Sequence, residues 1–355
     1  MTAHNELEKV DGVSHLPRCV PWEEKYREGV LALFSDVPHK RQLWHWQFEA
    51  NPFLLPFNPV VLVDEKDQVA GFNGVMPVKA TKRGEQVEVL WSCDFYLAKH
   101  WRGQGFGSQI KHELHRTSSI IMALGISDQA SHVLRHLGWV PDDSVRSFRM
   151  VRRARELRSL ALWGLQLINR IRGRAGLLDR RFTYSQETSF STHSFLPEKD
   201  HVDRLWRECA ATYDWVVEKS YQYLDWRYQK HPLGRYGFVH AEREGELVGI
   251  LIVRTHSEHL RIVDYVGPSN DGQLKQALVD YAVNRWRHVA QVSVMTSDSQ
   301  LSKCLLAVGF VQLRGKPRFF RFEEKPSQMP WFIMAGDSDG EFLQAASEFC
   351  SVGAT

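Results

Sequence analysis

The decisive stretch runs from Val89 to His115. Val89-Leu90-Trp91-Ser92-Cys93-Asp94-Phe95-Tyr96-Leu97 reads as a strand, and Ser108-Gln109-Ile110-Lys111-His112-Glu113-Leu114-His115 as the opening of a helix. Between them lies Arg102-Gly103-Gln104-Gly105-Phe106-Gly107. A strand that turns into a helix through glycine-rich backbone makes an anion cradle. Glycines let consecutive N–H groups point into one concavity, and the helix N-terminus adds positive potential. Arg102 puts a fixed charge beside it, so the natural guest is a phosphate or pyrophosphate.

The spacing separates this loop from two better-known phosphate loops. A P-loop needs Gly-Lys-Ser or Gly-Lys-Thr where this chain has Gly105-Phe106-Gly107-Ser108. A dinucleotide loop belongs at the first strand of a βαβ unit, followed about 20 residues later by an acid. Here the loop comes some hundred residues in, behind a run of antiparallel-type strands. Arg-x-x-Gly-x-Gly in this setting resembles the coenzyme A loop of the GNAT (GCN5-related) acyltransferase superfamily. Ala123-Leu124-Gly125-Ile126-Ser127 and the exit Leu137-Gly138-Trp139 follow in the order that superfamily shows.

Composition sets the outer limits. The 355 residues suffice for two domains with cores of their own. Net charge is +3, which gives no general drive toward nucleic acid, and no nucleic-acid partner is expected. Five scattered cysteines, Cys19, Cys93, Cys209, Cys304 and Cys350, form neither a disulfide framework nor metal-type pairs. With a polar N-terminus and no bilayer-length apolar run, the expectation is a cytoplasmic protein without a metal.

The chain also echoes itself. Leu43-Trp44-His45-Trp46 through Asn51-Pro52 matches Tyr223-Leu224-Asp225-Trp226 through His231-Pro232. Asp94 answers Asp264, Leu137-Gly138-Trp139 answers Val308-Gly309-Phe310, and Phe148-Arg149-Met150 answers Phe320-Arg321-Phe322. Markers in one order at near-constant offset indicate a duplicated domain. The second copy has Gly267-Pro268-Ser269-Asn270-Asp271-Gly272 in place of the loop, lacking the arginine and the glycine spacing. One cofactor site, in the first copy, is expected. The resemblance implies an α/β (α+β) fold of two tandem GNAT-like domains, each a mixed, mostly antiparallel sheet flanked by helices. The boundaries read 1–150 for the domain with the loop, 151–189 for a linker, 190–330 for a degenerate second domain and 331–355 for a tail.

The linker is basic and amphipathic. Residues 149–181 hold ten arginines, interleaved with Leu157, Leu160, Leu162, Trp163, Leu165, Leu167, Ile168 and Ile171. Such a helix packs its apolar face on a domain as a connector, or lies on an anionic membrane surface as a peripheral contact through 151–181. The sequence leaves both open, with the connector ahead.

The resemblance further implies acetyl-CoA or another acyl-CoA as donor. Its diphosphate would sit on Arg102, Gly103, Gln104, Gly105, Phe106, Gly107 and Ser108. The pantetheine arm would run beside Phe95, Tyr96 and Leu97. The family's usual acid is a tyrosine four residues before the glycine of Leu137-Gly138-Trp139, and this chain has Leu134 there. The candidates for proton transfer are therefore Asp94 as base and His132 as acid. Tyr96, Trp101 and Asn73 are expected near the acceptor cleft. Trp46, Trp226, Pro52 and Pro232 recur in both copies and are expected to pack.

The expected activity is bacterial N-acyl transfer to an amine or hydroxyl acceptor, an amino sugar of an envelope or exported polysaccharide precursor being the reading pursued. Two alternatives stand beside it. One is a distantly Fem-like transferase using aminoacyl-tRNA, which would not need the Arg102–Gly107 cradle. The other is a non-catalytic double module that binds coenzyme A.

Overall fold

The structure, a computed structural model, describes residues 16–37, 39–53, 59–153, 160–168, 188–315, 317–341 and 344. The chain begins with β1 (Arg18–Val20), α1 (Arg27–Leu33), α2 (Lys40–Trp44), β2 (Val60–Val63), β3 (Val69–Lys82) and β4 (Glu85–Leu97). It continues through α3 (Phe106–His115), β5 (Ile120–Leu124), α4 (Asp128–His136), β6 (Val140–Asp142) and β7 (Arg146–Val151). A helix at 160–168, α5, stands between the copies.

The second copy opens with β8 (Thr188–His193), α6 (Lys199–Cys209), β9 (Trp215–Val217) and α7 (Tyr221–Leu224). Then come β10 (Tyr236–Arg243), β11 (Glu246–His256), β12 (His259–Val266), α8 (Gly272–Arg285), β13 (Gln291–Thr296) and α9 (Ser299–Val308). It closes with β14 (Val311–Gln312), β15 (Phe319–Glu323) and β16 (Trp331–Phe332).

Two mixed, mostly antiparallel sheets result. The first has the order β1-β2-β3-β4-β5-β15-β6, and the second β14-β7-β13-β12-β11-β10-β8. Alternation along β4 sets the layers of the first sheet. Val89, Trp91 and Cys93 point into a core with α1 and α2. Leu90 faces the other layer, with Phe106, Ile110 and Leu114 of α3.

The domain boundaries follow the chain, but the sheets do not. β7 lies within 1–150 yet pairs with β13 and β14 of the second sheet. β15 lies within 190–330 yet inserts between β5 and β6 of the first. The two copies have exchanged equivalent strands, the segments that hold Phe148-Arg149-Met150 and Phe320-Arg321-Phe322. Each strand fits the other sheet because the two are copies of one element. The linker therefore starts from a strand of the second sheet.

The segment assigned to a tail is also structural in its first part. Residues 331–338 are all buried. Trp331 stacks on Trp215 with centroids 4.7 Å apart, and β16 pairs in parallel with β9, which in turn pairs with β3. Asp337 and Asp264 together neutralise the buried Lys219 at 2.6 and 2.7 Å. Hydrophobic burial and the Lys219–Asp337 ion pair hold this segment. Residues 345–355 lie outside the described residues.

The copies meet at the repeated tryptophans. Trp46 and Trp226 stack with centroids 5.3 Å apart and planes at 21°. Trp46 Nε1–H donates to the Trp226 carbonyl at 2.8 Å, and Trp226 Nε1–H to the Trp46 carbonyl at 2.9 Å. Reciprocal bonds of this kind define a local pseudo-two-fold axis. Both rings sit on one-turn π-helices, His45–Glu49 and Asp225–Gln229.

The exchange makes a prediction about truncation. A chain ending at residue 150 loses β15 from between β5 and β6, and its own β7 has no sheet to join. It should show a non-cooperative thermal transition and bind a hydrophobic dye, whereas the full chain unfolds cooperatively. A sharp, dye-free transition for residues 1–150 would contradict the assignment.

Candidate active site

β3 pairs with β4 along most of its length, but β5 pairs with β4 only at Leu90 and Trp91. From Ser92 onward the two parallel strands part, while β5 continues its pairing to β15 through Ala123 and Leu124. A bulge marks the parting. The β3–β4 register slips between Phe72 and Gly74, opposite Asp94, which adopts the left-handed conformation at φ 49°. An extra residue there raises the local twist and turns the strand from its neighbour. Among the described residues no strand pairs with the wedge-facing edge of 92–97.

The glycine loop sits at the mouth of this wedge. Gly103 and Gly105 have φ of 79° and 89°, a region that favours glycine. A Cβ built at either position meets nothing within 4 Å, so the space above the loop is open. Gly105 caps α3, and its carbonyl accepts from the amides of Ser108 and Gln109 at 3.0 and 3.1 Å. The amides of residues 103–107 find no acceptor among the described residues. Arg102 lies over the Tyr96 ring at 5.1 Å and donates from Nε to the Leu97 carbonyl at 2.8 Å. The buried indole nitrogen of Trp101 also has no partner among the described residues. Open donors, a cradle that a Cβ would enter and an adjacent guanidinium fit a diphosphate.

The second copy bonds part of its loop with its own atoms. Asp271 caps α8, its carboxylate accepting from the Leu274 amide at 2.9 Å. Ser269 bonds to Thr212 through its amide at 2.9 Å. The second wedge opens beyond the last β12–β13 pair, Ile262 with Val294. There the chain's own C-terminal segment enters. Met334 bridges to Thr296, and the Ser297 amide donates to the Ile333 carbonyl at 2.9 Å. Phe332 and Met334 complete the core. The second loop is thus partly bonded within the chain and crowded by its own side chains, a Cβ at Gly267 meeting Tyr265 at 2.5 Å and one at Gly272 meeting Gln300 at 2.7 Å, and its wedge is plugged by residues beyond the repeat.

The candidate side chains fall on two faces of the first wedge. On the α1–α2 face, Asp94 forms a buried ion pair with Lys40. Lys40 also donates to Gln47 Oε1 at 2.9 Å, and Gln47 Nε2–H contacts Cys93 Sγ at 3.3 Å. Burial pushes the Cys93 thiol well above its usual range, so it is a packed thiol and no thiolate nucleophile. Asp339, from the C-terminal segment, lies within electrostatic reach of Asp94, Cys93 and Lys40. Burial first, and Asp94 second, raise its carboxyl to about 6.

On the α3 face, Lys111 is buried and donates to Asn73 Oδ1 at 2.6 Å and Ser92 Oγ at 2.8 Å. Asn73, expected near the acceptor, is instead committed to this lysine, because its position on β3 faces α3. Burial lowers the Lys111 ammonium to about 7. His132 is exposed on α4, about 200° around the helix from Leu134, which is buried in the α3-side core. Tyr96 packs edge-on to Phe34 at 5.6 Å, and Trp101 to Phe106 at 5.5 Å. The structure thus gathers Asp94 and the loop residues at one wedge and leaves His132 facing solvent. Lys40, Lys111 and Asp339 were missed. The only sequence signal for Lys111 is a cation among apolar residues on one helix face. Asp339 has none.

No protein-family model matches the chain, and no curated protein matches it significantly in sequence. Solved structures do match its fold. A GCN5-related N-acetyltransferase from Anabaena variabilis is 13% identical, with a TM-score of 0.60 over 86% of this chain and 72% of the other. Saccharomyces cerevisiae N-myristoyltransferase with bound myristoyl-CoA is 10% identical, with a TM-score of 0.52 over 87% and 83%. A glucosamine N-acetyltransferase region of a fungal β-N-acetylglucosaminidase is 13% identical, with a TM-score of 0.53 over 87% of this chain and 38% of the other. The class defined by fold and site is the GCN5-related N-acetyltransferase fold, here as two strand-exchanged copies with one open cradle. At these identities the likeness is one of fold.

Proposed function

We propose that the protein is an acyl-CoA-dependent N-acyltransferase with a single donor site in its first copy. The observation that carries this reading is the contrast between the copies. One wedge is open above a loop where a Cβ at Gly103 or Gly105 meets nothing, and the other wedge is filled by the chain itself, with its loop crowded by Tyr265 and Gln300. An aminoacyl-tRNA donor would leave the open cradle without use, and nothing in the structure favours it.

The donor diphosphate would lie on the amides of residues 103–107 beside Arg102. The pantetheine arm would add to the free edge of β4 as a strand does, past Phe95, Tyr96 and Leu97. This brings the thioester to the bulge, where a backbone N–H of the parted strand can polarise its carbonyl. Asp94 is held by Lys40 and serves best to fix the bulge. Asp339 has the range required of a base near neutral pH, and takes the acceptor's proton. Acetyl is the default acyl group, and an amino sugar of a glycan precursor is the acceptor class to test first.

Calorimetry with coenzyme A should give one site per chain. Gly105→Val should weaken it by at least about tenfold, because the Cβ enters the cradle and valine resists positive φ. In an acyl-transfer screen the rate should fall as pH drops through about 6, where Asp339 gains its proton. Two sites per chain, or full affinity in Gly105→Val, would refute the reading.

We further propose peripheral contact with an anionic membrane. Among the described residues of α5, Leu160, Trp163, Leu165, Leu167 and Ile168 are all exposed, while Gln166 is buried and accepts from the Val151 amide at 2.9 Å. No described helix is long and apolar enough to cross a membrane. The flanking arginines supply the matching charge. Flotation should carry the full chain with vesicles containing anionic lipid and not with neutral ones. No flotation with either would leave α5 a connector.

A further inference from the structure

We propose that Lys111 is the proton donor to the departing coenzyme A sulfur, taking the part that a tyrosine at the position of Leu134 plays in the fold family. The inference rests on the acyl-CoA reading above and concerns a residue outside the loop and the α1–α2 face.

Four observations place Lys111 there. Its Nζ bonds Ser92, the first residue of β4 beyond the last β4–β5 pair, so the amine sits where the wedge opens. It lies 4.5 Å from the centroid of the Phe95 ring and 5.5 Å from that of Trp139. The Trp139 amide bonds the Leu134 carbonyl at 3.0 Å, so the amine adjoins the region of the missing tyrosine. Both hydrogen-bond acceptors of Lys111, Asn73 Oδ1 and Ser92 Oγ, are neutral. An ammonium has three N–H donors, which leaves one beyond these two.

The second copy supplies a contrast. Lys275 on α8 is likewise buried, but it is ion-paired with Asp298, the N-cap of α9. The N-cap of α4 is Ser127. The copy with the plugged wedge neutralises its lysine in an ion pair, and among the described residues the copy with the open wedge forms none with its lysine.

The groups that face Lys111 agree with a donor role. Asp339 on the C-terminal segment favours its charged form and exerts less influence than burial, while Cys93 on β4 faces it as a neutral thiol. His115, on its own helix, is kept neutral by burial, which lowers it to about 4. Its Nε2 accepts from Trp139 Nε1–H at 2.7 Å. An ammonium that titrates at about 7 can protonate a thiolate whose parent thiol titrates near 8.5.

The step balances. The acceptor amine attacks the thioester carbonyl carbon and the C–N bond forms. The C–S bond breaks and its electron pair goes to sulfur, which takes a proton from Lys111. The acceptor nitrogen loses its proton to Asp339. Asp339 then releases its proton to solvent and Lys111 takes one up from solvent, so both groups are reset with no net change in protons.

The test needs no acceptor. Coenzyme A is bound to the full chain and its thiol is titrated by the ultraviolet absorbance of the thiolate. In the unaltered protein the bound thiol should titrate at least about one unit below its free value near 8.5, because thiolate and ammonium stabilise each other and titrate as a pair, the lysine rising as the thiol falls. In Lys111→Met that shift should vanish, while affinity for coenzyme A stays within about threefold. Lys111→Gln, which keeps a donor to Asn73 and Ser92 without charge, should behave as Lys111→Met does and covers a folding failure of the first variant. In turnover assays both variants should lose at least about 100-fold in kcat with little change in KM for the donor, together with the fall in rate above about pH 7. An unshifted thiol in the unaltered protein, or one shifted equally in both variants, overturns the proposal while leaving the binding site intact. Absence of coenzyme A binding in the unaltered protein overturns the acyl-CoA reading itself.

Discussion

A strand edge without a partner strand is the constraint around which this molecule is arranged. Backbone N–H and C=O groups in a folded core need hydrogen-bond partners. After Trp91 and after Ile262, each sheet lets its two central parallel strands part. In the second copy the debt is met internally: residues 331–334 enter the wedge and bond to Thr296 and Ser297. In the first copy no strand does this among the described residues, and the open edge ends at a loop of unpaired amides. A linear arm joined to a diphosphate has the groups to satisfy both at once. The same C-terminal segment that closes one wedge goes on to bring Asp339 to the other, so plugging one copy and furnishing the other are one act of folding.

Strand exchange makes this possible. A single domain of this kind would carry its own last strand, and its C-terminus would be free of the neighbour. Here β7 and β15 cross, and the tryptophan pair fixes the two halves with reciprocal hydrogen bonds on facing π-turns. The second half then contributes β9, β15 and β16 to the first sheet. Loss of its own donor site is compatible with this role, since its sequence must still pack β7 and deliver the C-terminal segment. The tight packing of both cores, from Trp44 and Phe48 to Tyr265 and Phe332, leaves the wedge as the place where the fold stays incomplete.

Much of this was legible in the residues. The loop between a strand and a helix gave the cradle, because glycine spacing dictates backbone conformation locally. The repeat markers gave the duplication, and Trp46 and Trp226 were correctly marked as packing residues. The exchange was not legible. Phe148-Arg149-Met150 and Phe320-Arg321-Phe322 are copies of one strand, and either satisfies either sheet. The plug was also hidden, since Trp331–Met334 lies beyond the repeat and has no counterpart to compare. Asp94 read as a candidate base, and its ion pair was hidden because its partner Lys40 is 54 residues away, on a helix whose side-chain directions depend on the packed fold. Lys111 read as a polar residue on a helix, since no local pattern reveals that its amine reaches Asn73 on another strand.

Hydrogen exchange with and without coenzyme A tests the asymmetry between the copies most directly, because it reads backbone amides one segment at a time. The account predicts new protection at residues 92–97 and 103–108. It predicts no change at Ser269, Leu274 or Ser297, whose amides are already bonded within the chain. Protection of the second wedge on adding the ligand, or of neither wedge, would contradict it.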